Sequence, residues 1–254
     1  MLRLDSDNYY SLEANQAYWS ASFVKSMLQC PARAIAELNG EYSRPTTSAL
    51  LIGSYVDAYF EGTLDVFRTE HPEIFKRDGT LKSDFILADK MIERAESDAL
   101  FCEFMQGEKQ TIITGQIDGI PFKCKMDVYC PGERIVDLKT AKDMQPMYKP
   151  GHGKVSFVEY WNWTLQMAIY QAIEGNSLPC YLAVITKQEP SDIAVIEIPQ
   201  AILDAEMEVL MSKLPYFDAM RQGVIEPDRC GECEYCRATH RLNKPINLYE
   251  LIEQ

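Results

Sequence analysis

Two aspartates and a lysine on consecutive predicted strands are the residues best placed to do chemistry. Asp127 lies in the alternating segment 120–130, and Asp137 and Lys139 lie in the segment 134–139. Side chains two residues apart on a strand share a face, and antiparallel pairing can bring Asp127 beside them. Two converging carboxylates repel each other unless a cation joins them, and Mg²⁺ takes oxygen ligands of this kind. An ammonium beside such a metal can orient or activate a water and stabilise charge that develops on a phosphate.

The alternative is that Asp137 and Lys139 are solvated partners on an exposed sheet face, because an isolated Asp-x-Lys pair is common. The flanking residues Ile135, Val136 and Leu138 instead suit a central strand. A charged side chain in a central strand needs a compensating partner. We therefore predict that the two aspartates and the lysine form one site.

Two helical patterns add further candidates. Gln166 and Tyr170 are one turn apart in WTLQMAIYQ and share a helix face, although such pairs also arise from packing alone. Gly53, Asp57 and Glu61 recur every four residues in LLIGSYVDAYFEG, so they line one side of a helix that Gly53 allows to approach a neighbour closely. Asp57 or Glu61 can extend the metal shell. The alternative is that both acids cap or solvate the end of the helix.

Segments with strand alternation and segments with helical periodicity follow one another along the chain. Strands are predicted at 110–117, 120–130, 134–139, 180–187 and 192–198. Helices are predicted from Ser20 or Ser22 onward and at 49–60, 83–105, 155–174 and 200–221, with Pro31 interrupting the first helix or opening the next. Asp118-Gly119 predicts a tight hairpin between the first two strands. The predicted fold is one α/β domain over 1–254, with a helical part (about 1–106), a core (about 107–222) and a cysteine-bearing tail (about 223–254).

Taken together, these residues resemble the PD-(D/E)xK nuclease superfamily, and more closely its RecB-like branch, which includes phage exonuclease VIII proteins of the RecE type. The resemblance covers roughly residues 15–240 and depends on the order and spacing of its elements. The matching elements are the helix with Gly53 and Asp57, then Asp127, the triplet Asp137-Leu138-Lys139, and Gln166-x-x-x-Tyr170. Asp57 stands where that branch usually has histidine, and a carboxylate can also ligate a metal.

The resemblance implies a restriction-endonuclease-like core: a three-stranded antiparallel meander, a crossover helix and further strands. It implies that Asp127, Asp137 and the Leu138 carbonyl bind Mg²⁺ or Mn²⁺, that Lys139 is catalytic, and that Gln166 and Tyr170 support the site. The implied activity is 5′–3′ exonuclease digestion of duplex DNA ends in a phage or prophage recombination system. The implied partners are a single-strand annealing protein and further copies of the chain in a ring around DNA.

A basic stretch lies between the triplet and the Gln166 helix, which is unusual in so acidic a chain. It carries Lys142, Lys149, His152 and Lys154 among proline and glycine residues. Contact with DNA phosphates is the functional interpretation, and a flexible solvated loop is the alternative. Trp161 and Trp163 follow, and each either belongs to the core or stacks on a base.

Three cysteines near the end of the chain, Cys230, Cys233 and Cys236, have two residues between successive thiols. Such spacing lets sulfurs wrap one metal centre, and a [4Fe–4S] cluster needs four ligands. Cys30 is a candidate fourth ligand, because nucleases of the AddB-like and CRISPR-adaptation types are similar in having one cysteine before the core and three after it. Alternatively His240 completes a Zn²⁺ site with the three thiols. Three unligated thiols are the remaining interpretation.

The composition of the chain limits the classes of function that it can have. The 254 residues carry a net charge of −13, which argues against coating nucleic acid by bulk electrostatics but not against a local basic strip. No apolar run approaches the roughly 20 residues of a membrane helix, no signal-peptide pattern opens the chain, and eight cysteines suit a reducing compartment. We therefore predict a soluble cytoplasmic protein, and the resemblance implies that the cell is bacterial. Two other functions stay open: a nuclease-like module that binds DNA without cutting it, and a metal-cluster scaffold for protein partners.

Overall fold

A five-stranded sheet forms the centre of the protein. The computed structural model describes residues 2–45, 47–242, 245, 247 and 248. The sheet strands are β1 (Glu108–Ile117), β2 (Ile120–Cys130), β3 (Arg134–Ala141), β6 (Cys180–Thr186) and β7 (Ile193–Ile198), and a separate hairpin pairs β4 (Met147–Lys149) with β5 (Gly153–Val155). The strand order is β1-β2-β3-β6-β7, with β3 and β6 parallel and the other neighbours antiparallel. The fold is thus of the mixed α/β class.

Helices cover both faces of this sheet. They are α1 (Leu12–Ala17), α2 (Ala21–Gln29), α3 (Pro31–Leu38), α4 (Ser48–Glu61), α5 (Leu64–Glu70), α6 (Ser83–Glu96), α7 (Ala99–Phe104), α8 (Phe157–Tyr160), α9 (Trp163–Glu174), α10 (Gln200–Arg221) and α11 (Glu234–Ala238), with a 3₁₀ turn at Pro72–Ile74. Across the described ranges, no helix combines the length and apolar character that a membrane crossing requires.

The predicted antiparallel meander is confirmed in β1, β2 and β3. Asp118 and Gly119 both have positive φ, at 50° and 74°, as a two-residue hairpin turn with the twist of its strands requires. The chain leaves β3 through α8 and α9 and returns as β6, parallel to β3. The predicted crossover helix is therefore also confirmed.

Two long predicted helices are each broken in the structure, so those predictions are wrong in their interiors. The first ends at Glu96, and the Asp98 carboxylate accepts the Phe101 N–H to begin α7. The second breaks at Asn162, whose φ of 52° cannot continue an α-helix. Apolar periodicity continues through both breaks, which is why the sequence did not reveal them. Pro31 opens α3, while α1, α5, α11 and the β4–β5 hairpin were not predicted.

The side chains of β3 alternate between two cores. Ile135 and Ala141 pack in the core that contains residues of α9 and α10, whereas Val136 and Leu138 pack in the core that contains residues of α4 and α6. The four residues from Ile135 to Leu138 are all buried. An exposed sheet face for the Asp-x-Lys pair is thereby excluded, and the alternation directs Asp137 toward α9.

Candidate active site

Strands β2 and β3 separate beside the triplet Asp137-Leu138-Lys139. Their pairing runs from Cys130 opposite Arg134 to Val128 opposite Val136. Two residues further along β3, the Leu138 N–H donates to Asp127 Oδ2 at 2.8 Å. The carboxylate of Asp127 thus takes a position in the hydrogen-bond ladder that a backbone carbonyl fills in a regular pair. This separation opens space between the two strands at the predicted site.

Asp127 also lies at an interruption in the alternation of β2. Met126 packs in the α9 core and Val128 in the α4 core, although residues two apart on a regular strand share a face. Gln110 on the neighbouring β1 has a φ of 53°, and its Nε2 donates to Asp127 Oδ1 at 3.2 Å. Both carboxylate oxygens of Asp127 are therefore held in place by donors.

Asp137 is almost completely buried, at 1 % exposure. Its Oδ1 accepts a hydrogen bond from Gln166 Nε2 at 2.8 Å. Its Oδ2 forms an ion pair with the Lys139 ammonium but receives no hydrogen bond of good geometry. A buried carboxylate oxygen without a full set of hydrogen bonds is costly, so Asp137 Oδ2 is suited to bind a metal in addition to Lys139.

The Lys139 ammonium lies between the acids and the aromatic side chain of Trp163. Its Nζ is 5.9 Å from the centre of the Trp163 ring. Burial lowers the pKa of Lys139, but the Asp137 and Asp127 carboxylates outweigh burial and leave the pKa raised. Lys139 therefore carries a positive charge at neutral pH, which suits it to stabilise negative charge rather than to accept a proton.

Gln166 and Tyr170, one turn apart on α9, contact β3 and β2 respectively. Gln166 Nε2 donates to Asp137 Oδ1 and lies 3.0 Å from the Tyr170 hydroxyl. The Tyr170 hydroxyl donates to the Lys125 carbonyl of β2 at 3.3 Å. The pair thus connects α9 to both β2 and β3. These hydrogen bonds show that the two side chains do more than pack against their neighbours.

Lys25, in the middle of α2, is a site residue that the sequence did not indicate. Its ammonium donates to Gln166 Oε1 at 2.7 Å. Burial, and after it the Lys139 ammonium, lower the pKa of Lys25 to about 8, with Asp137 opposing them. Because a cation occupies the Gln166 oxygen, the amide nitrogen of Gln166 must face Asp137. A lysine between the apolar positions of a helix is ordinarily expected to point into solvent. No feature of the sequence therefore indicated that Lys25 belongs to the site.

Helix α4 brings Asp57 to the site from the opposite face of the sheet. A Cβ at Gly53 would lie 3.3 Å from Thr140 Oγ1 of β3, which confirms that glycine permits a close approach here. A cleft of about 10 Å³ lies between helix and sheet, lined by Asp57, Phe60, Glu61, Met105, Gln110, Asp127 and Leu138. That volume is close to the space one water needs, so the cleft suits a single small ion or a water.

The charges of this cluster influence one another strongly. Burial raises the pKa of Asp127 to about 7, with the Asp137 carboxylate adding to the effect. Burial and then Asp127 raise the pKa of Asp57 well above its usual range. Glu61 lines the same cleft and accepts a hydrogen bond from Thr63 near the end of α4. Neighbouring buried acids repel one another when ionised, and a divalent cation between them would relieve this repulsion.

These pKa shifts predict how the stability of the metal-free protein depends on pH. Asp127 binds a proton more tightly when folded (pKa about 7) than its usual value of 3.8, and Asp57 is shifted in the same direction. The folded chain then holds more protons than the unfolded chain, so we expect stability to fall as pH rises from about 4 to about 7. Thermal unfolding in a chelator across this range measures the slope. Asp127→Asn should flatten it, and an unchanged slope in that variant would contradict the assignment.

The basic stretch lies on the β4–β5 hairpin and the loop before it. Lys142, His152 and Lys154 are exposed. Lys149 instead donates to Asn162 Oδ1 at 3.0 Å and to the Glu159 carbonyl at 3.4 Å, so it supports the corner between α8 and α9. Contact of these four side chains with DNA stays a prediction. Of the two tryptophans, Trp163 is buried in the α9 core and Trp161 is 51 % exposed.

The tail cysteines and Cys30 come together at a second potential metal site. The sulfurs of Cys30, Cys230, Cys233 and Cys236 all lie within 4.8 Å of one another, and the Cys30 and Cys236 sulfurs are 3.5 Å apart. Cys30 stands between α2 and α3, and the other three cysteines flank or belong to α11. Among the described residues, no other set of three or more cysteine, histidine or acidic ligand atoms is as tight, and His240 is outside it. Four sulfurs suit either Zn²⁺ or an iron–sulfur cluster.

Comparison with known proteins agrees with this fold. The family model described as a PDDEXK-like domain of unknown function (DUF3799) matches residues 20–239. The crystal structure of a protein named "Putative exonuclease" from Eubacterium rectale superposes with a TM-score of 0.95 at 39% identity, covering 99% of this chain and 98% of that one. The structure of SSO0001 has 14% identity and a TM-score of 0.28 over 72% of this chain and 85% of its own, so it carries no argument. No curated protein matches the chain.

The family match covers the whole arrangement derived above, from the start of α2 through the sheet and α9 to the cysteine tail. The likeness to the Eubacterium rectale protein extends over nearly the full length of both chains. The chain therefore belongs to the PDDEXK-like family DUF3799.

Proposed function

We propose that this protein is a metal-dependent deoxyribonuclease that hydrolyses DNA from duplex ends, with Mg²⁺ as its metal. The observation that carries the proposal is the meeting of Asp127, Asp137 and Lys139 where β2 and β3 separate. The family match and the likeness to the Eubacterium rectale protein support a nuclease.

The donor set fits a hard divalent cation. Asp127, Asp137 and Asp57 offer carboxylate oxygens, and the Leu138 carbonyl, by the resemblance, offers a fourth oxygen. Mg²⁺ and Mn²⁺ prefer such oxygens, whereas softer metals prefer sulfur and nitrogen. When bound, the metal supplies a Lewis acid that makes a water nucleophilic and neutralises charge on the phosphate.

The residues around the acids have separable roles in this proposal. The Lys139 ammonium stabilises negative charge that develops on the attacked phosphate, and it holds the attacking water in place. Gln166 and Tyr170 keep Asp137 in its buried orientation by the hydrogen bonds described above. Lys25 is a positioning residue, since its contact with Gln166 determines which end of that amide faces Asp137.

Replacing Lys25 with methionine should lower kcat about 10- to 150-fold. A hydrogen bond to a charged group is worth about 1.5–3 kcal/mol, which corresponds to that change in rate if it is felt in the transition state. Steady-state digestion assays measure the change, and Lys76→Met is a matched control because Lys76 is exposed. If Lys25→Met cleaves DNA as fast as the wild type, Lys25 has no positioning role.

The direct test of the proposed activity is digestion of end-labelled linear duplex DNA. We expect degradation with Mg²⁺, none in excess chelator, and none of a covalently closed circle under the same conditions. An intact linear duplex in Mg²⁺ and in Mn²⁺ would overturn the proposal and favour a DNA-binding module without activity.

Finer features of the proposal come from the resemblance alone. They are 5′–3′ polarity, a role in phage or prophage recombination in the bacterial cytoplasm, a single-strand annealing partner and a ring-shaped oligomer. Duplexes labelled at the 5′ or the 3′ end on one strand distinguish the two polarities, because the label at the attacked end is released first. Sedimentation of the purified chain with and without DNA measures its assembly.

A further inference from the structure

Tyr10 is an exposed aromatic residue beside the carboxylate site. Its side chain lines two cavities, and within the described part of the chain it is the one residue common to both. The first cavity, about 310 Å³, also contacts Tyr9, Lys123, Lys125 and Tyr170. The second, about 250 Å³, is lined by three acids among neutral residues, and the acids are Asp57, Glu61 and Glu70. Tyr10 therefore stands between a cationic cavity and the acids of α4.

The ring of Tyr10 is 69 % exposed, yet neighbouring groups hold it in place. Tyr9 meets it edge to face, with ring centres 4.9 Å apart, and the Lys125 ammonium lies 4.8 Å from its centre. Lys123 holds the same segment by donating to the Tyr9 carbonyl and, at 2.8 Å, to Asn15 Oδ1. An aromatic ring that is both exposed and fixed loses little freedom when it binds a ligand.

The cationic cavity is connected to the site of hydrolysis. The Lys125 carbonyl accepts the hydrogen bond of Tyr170, which itself contacts Gln166, the partner of Asp137. The remaining polar lining of the cavity includes the Asn15 amide, three serine hydroxyls and the Arg44 guanidinium, which is paired with the Glu37 carboxylate; the serines are Ser20, Ser22 and Ser26. Cations and hydroxyls bind phosphate and sugar oxygens, and an aromatic face binds a base. A volume of about 310 Å³ is at the small end of ligand pockets, so it suits one nucleotide and not a base pair.

We propose that this cavity binds a single unpaired nucleotide of the DNA and that the Tyr10 ring stacks on its base. The inference rests on the proposed function, since DNA is taken as the substrate. It adds a subsite that holds the nucleotide beside the one being cut, with the Lys125 ammonium near its phosphate. Because the base contacts only the face of the ring, the subsite should accept any unpaired base, whatever the DNA sequence.

Fluorescence of 2-aminopurine at the end of an oligonucleotide tests this contact without hydrolysis. The full-length protein is titrated in Ca²⁺ without Mg²⁺, and stacking on an aromatic ring quenches the base. We expect quenching with the wild type and with Tyr10→Phe, which keeps the ring. With Tyr10→Ala we expect the quenching to be lost and the affinity to fall about 5- to 150-fold.

Tyr216→Ala is the matched control, because Tyr216 is an exposed tyrosine of α10 whose hydroxyl contacts Asp228. It should quench like the wild type. Quenching by Tyr10→Ala equal to that of the wild type, or no quenching by the wild type, would overturn the inference. A wild-type protein that quenches the base but fails to digest DNA in Mg²⁺ would overturn the proposed activity and leave the Tyr10 subsite standing.

Discussion

Replacing Lys139 with alanine should reduce Mg²⁺-dependent hydrolysis of linear duplex DNA by about 10²- to 10⁴-fold. Loss of a positioned charge or proton-handling group in an active site typically has an effect of this size. Lys139 is the ammonium paired with Asp137, and the neighbouring acids keep it charged. The measurement is kcat on end-labelled duplex at saturating substrate, since the interaction is made mainly in the transition state.

The control for this variant must separate catalysis from folding. Alanine at position 139 leaves the buried Asp137 without its partner charge, so the metal-free variant should be less stable than the wild type. Saturating Mg²⁺ supplies the missing positive charge, and the Tm values of the two proteins should then approach each other. Lys90→Ala removes an exposed lysine that pairs with Glu189, and it should keep wild-type activity. Full activity of Lys139→Ala would contradict the assigned role.

Replacing Cys233 with serine should release the metal that we propose for the four-cysteine site and lower the Tm. A site of four sulfurs within 4.8 Å of one another has the ligands of an iron–sulfur cluster or of Zn²⁺, and we propose iron–sulfur ahead of zinc. Structural zinc contributes an apparent free energy of about 10 kcal/mol or more in small domains. Here the site joins the tail to the α2–α3 junction, so its loss should detach the tail first.

The measurement is metal content and visible absorption after anaerobic purification, followed by thermal unfolding. Iron with sulfide and a charge-transfer spectrum indicates a cluster, whereas zinc in equal amount to the chain indicates a tetrahedral Zn²⁺ site. Cys102→Ser is the matched control, because Cys102 is a half-buried thiol of α7 outside the site. A wild-type protein that binds neither metal, with a Tm equal to that of Cys233→Ser, would show that the four thiols are unligated.

Local periodicity was enough to predict the catalytic candidates on the sheet. Asp137 and Lys139 share a face because strand side chains repeat every two residues, and Gln166 and Tyr170 share one because helix side chains repeat every three to four. The burial of β3 followed from its apolar neighbours. These features depend only on residues that are close together along the chain, so they can be predicted from a single sequence.

The contributions of Lys25, Gln110 and Tyr10 depend on distant parts of the chain. Lys25 meets Gln166 across 141 positions, and that contact exists only after α2 packs against α9. Gln110 reaches Asp127 because β1 is distorted opposite it, at a positive φ that glutamine rarely adopts. Such contacts depend on tertiary packing. Neither the secondary-structure propensity of a residue nor the spacing of residues along the chain predicts them. The resemblance pointed to Cys30 as the fourth sulfur, and the structure brings it to the other three.

Helix α2 contacts three functional candidates along its length. Its N-terminal end lines the nucleotide-sized cavity, its middle carries Lys25 to Gln166, and its C-terminal end meets the thiol of Cys30. Cys30 follows Lys25 by only five positions, which is about one and a half turns of an α-helix. Loss of the metal proposed for the four sulfurs would therefore displace the end of α2 and with it Lys25, the partner of Gln166, although every acidic residue of the proposed site stays chemically intact.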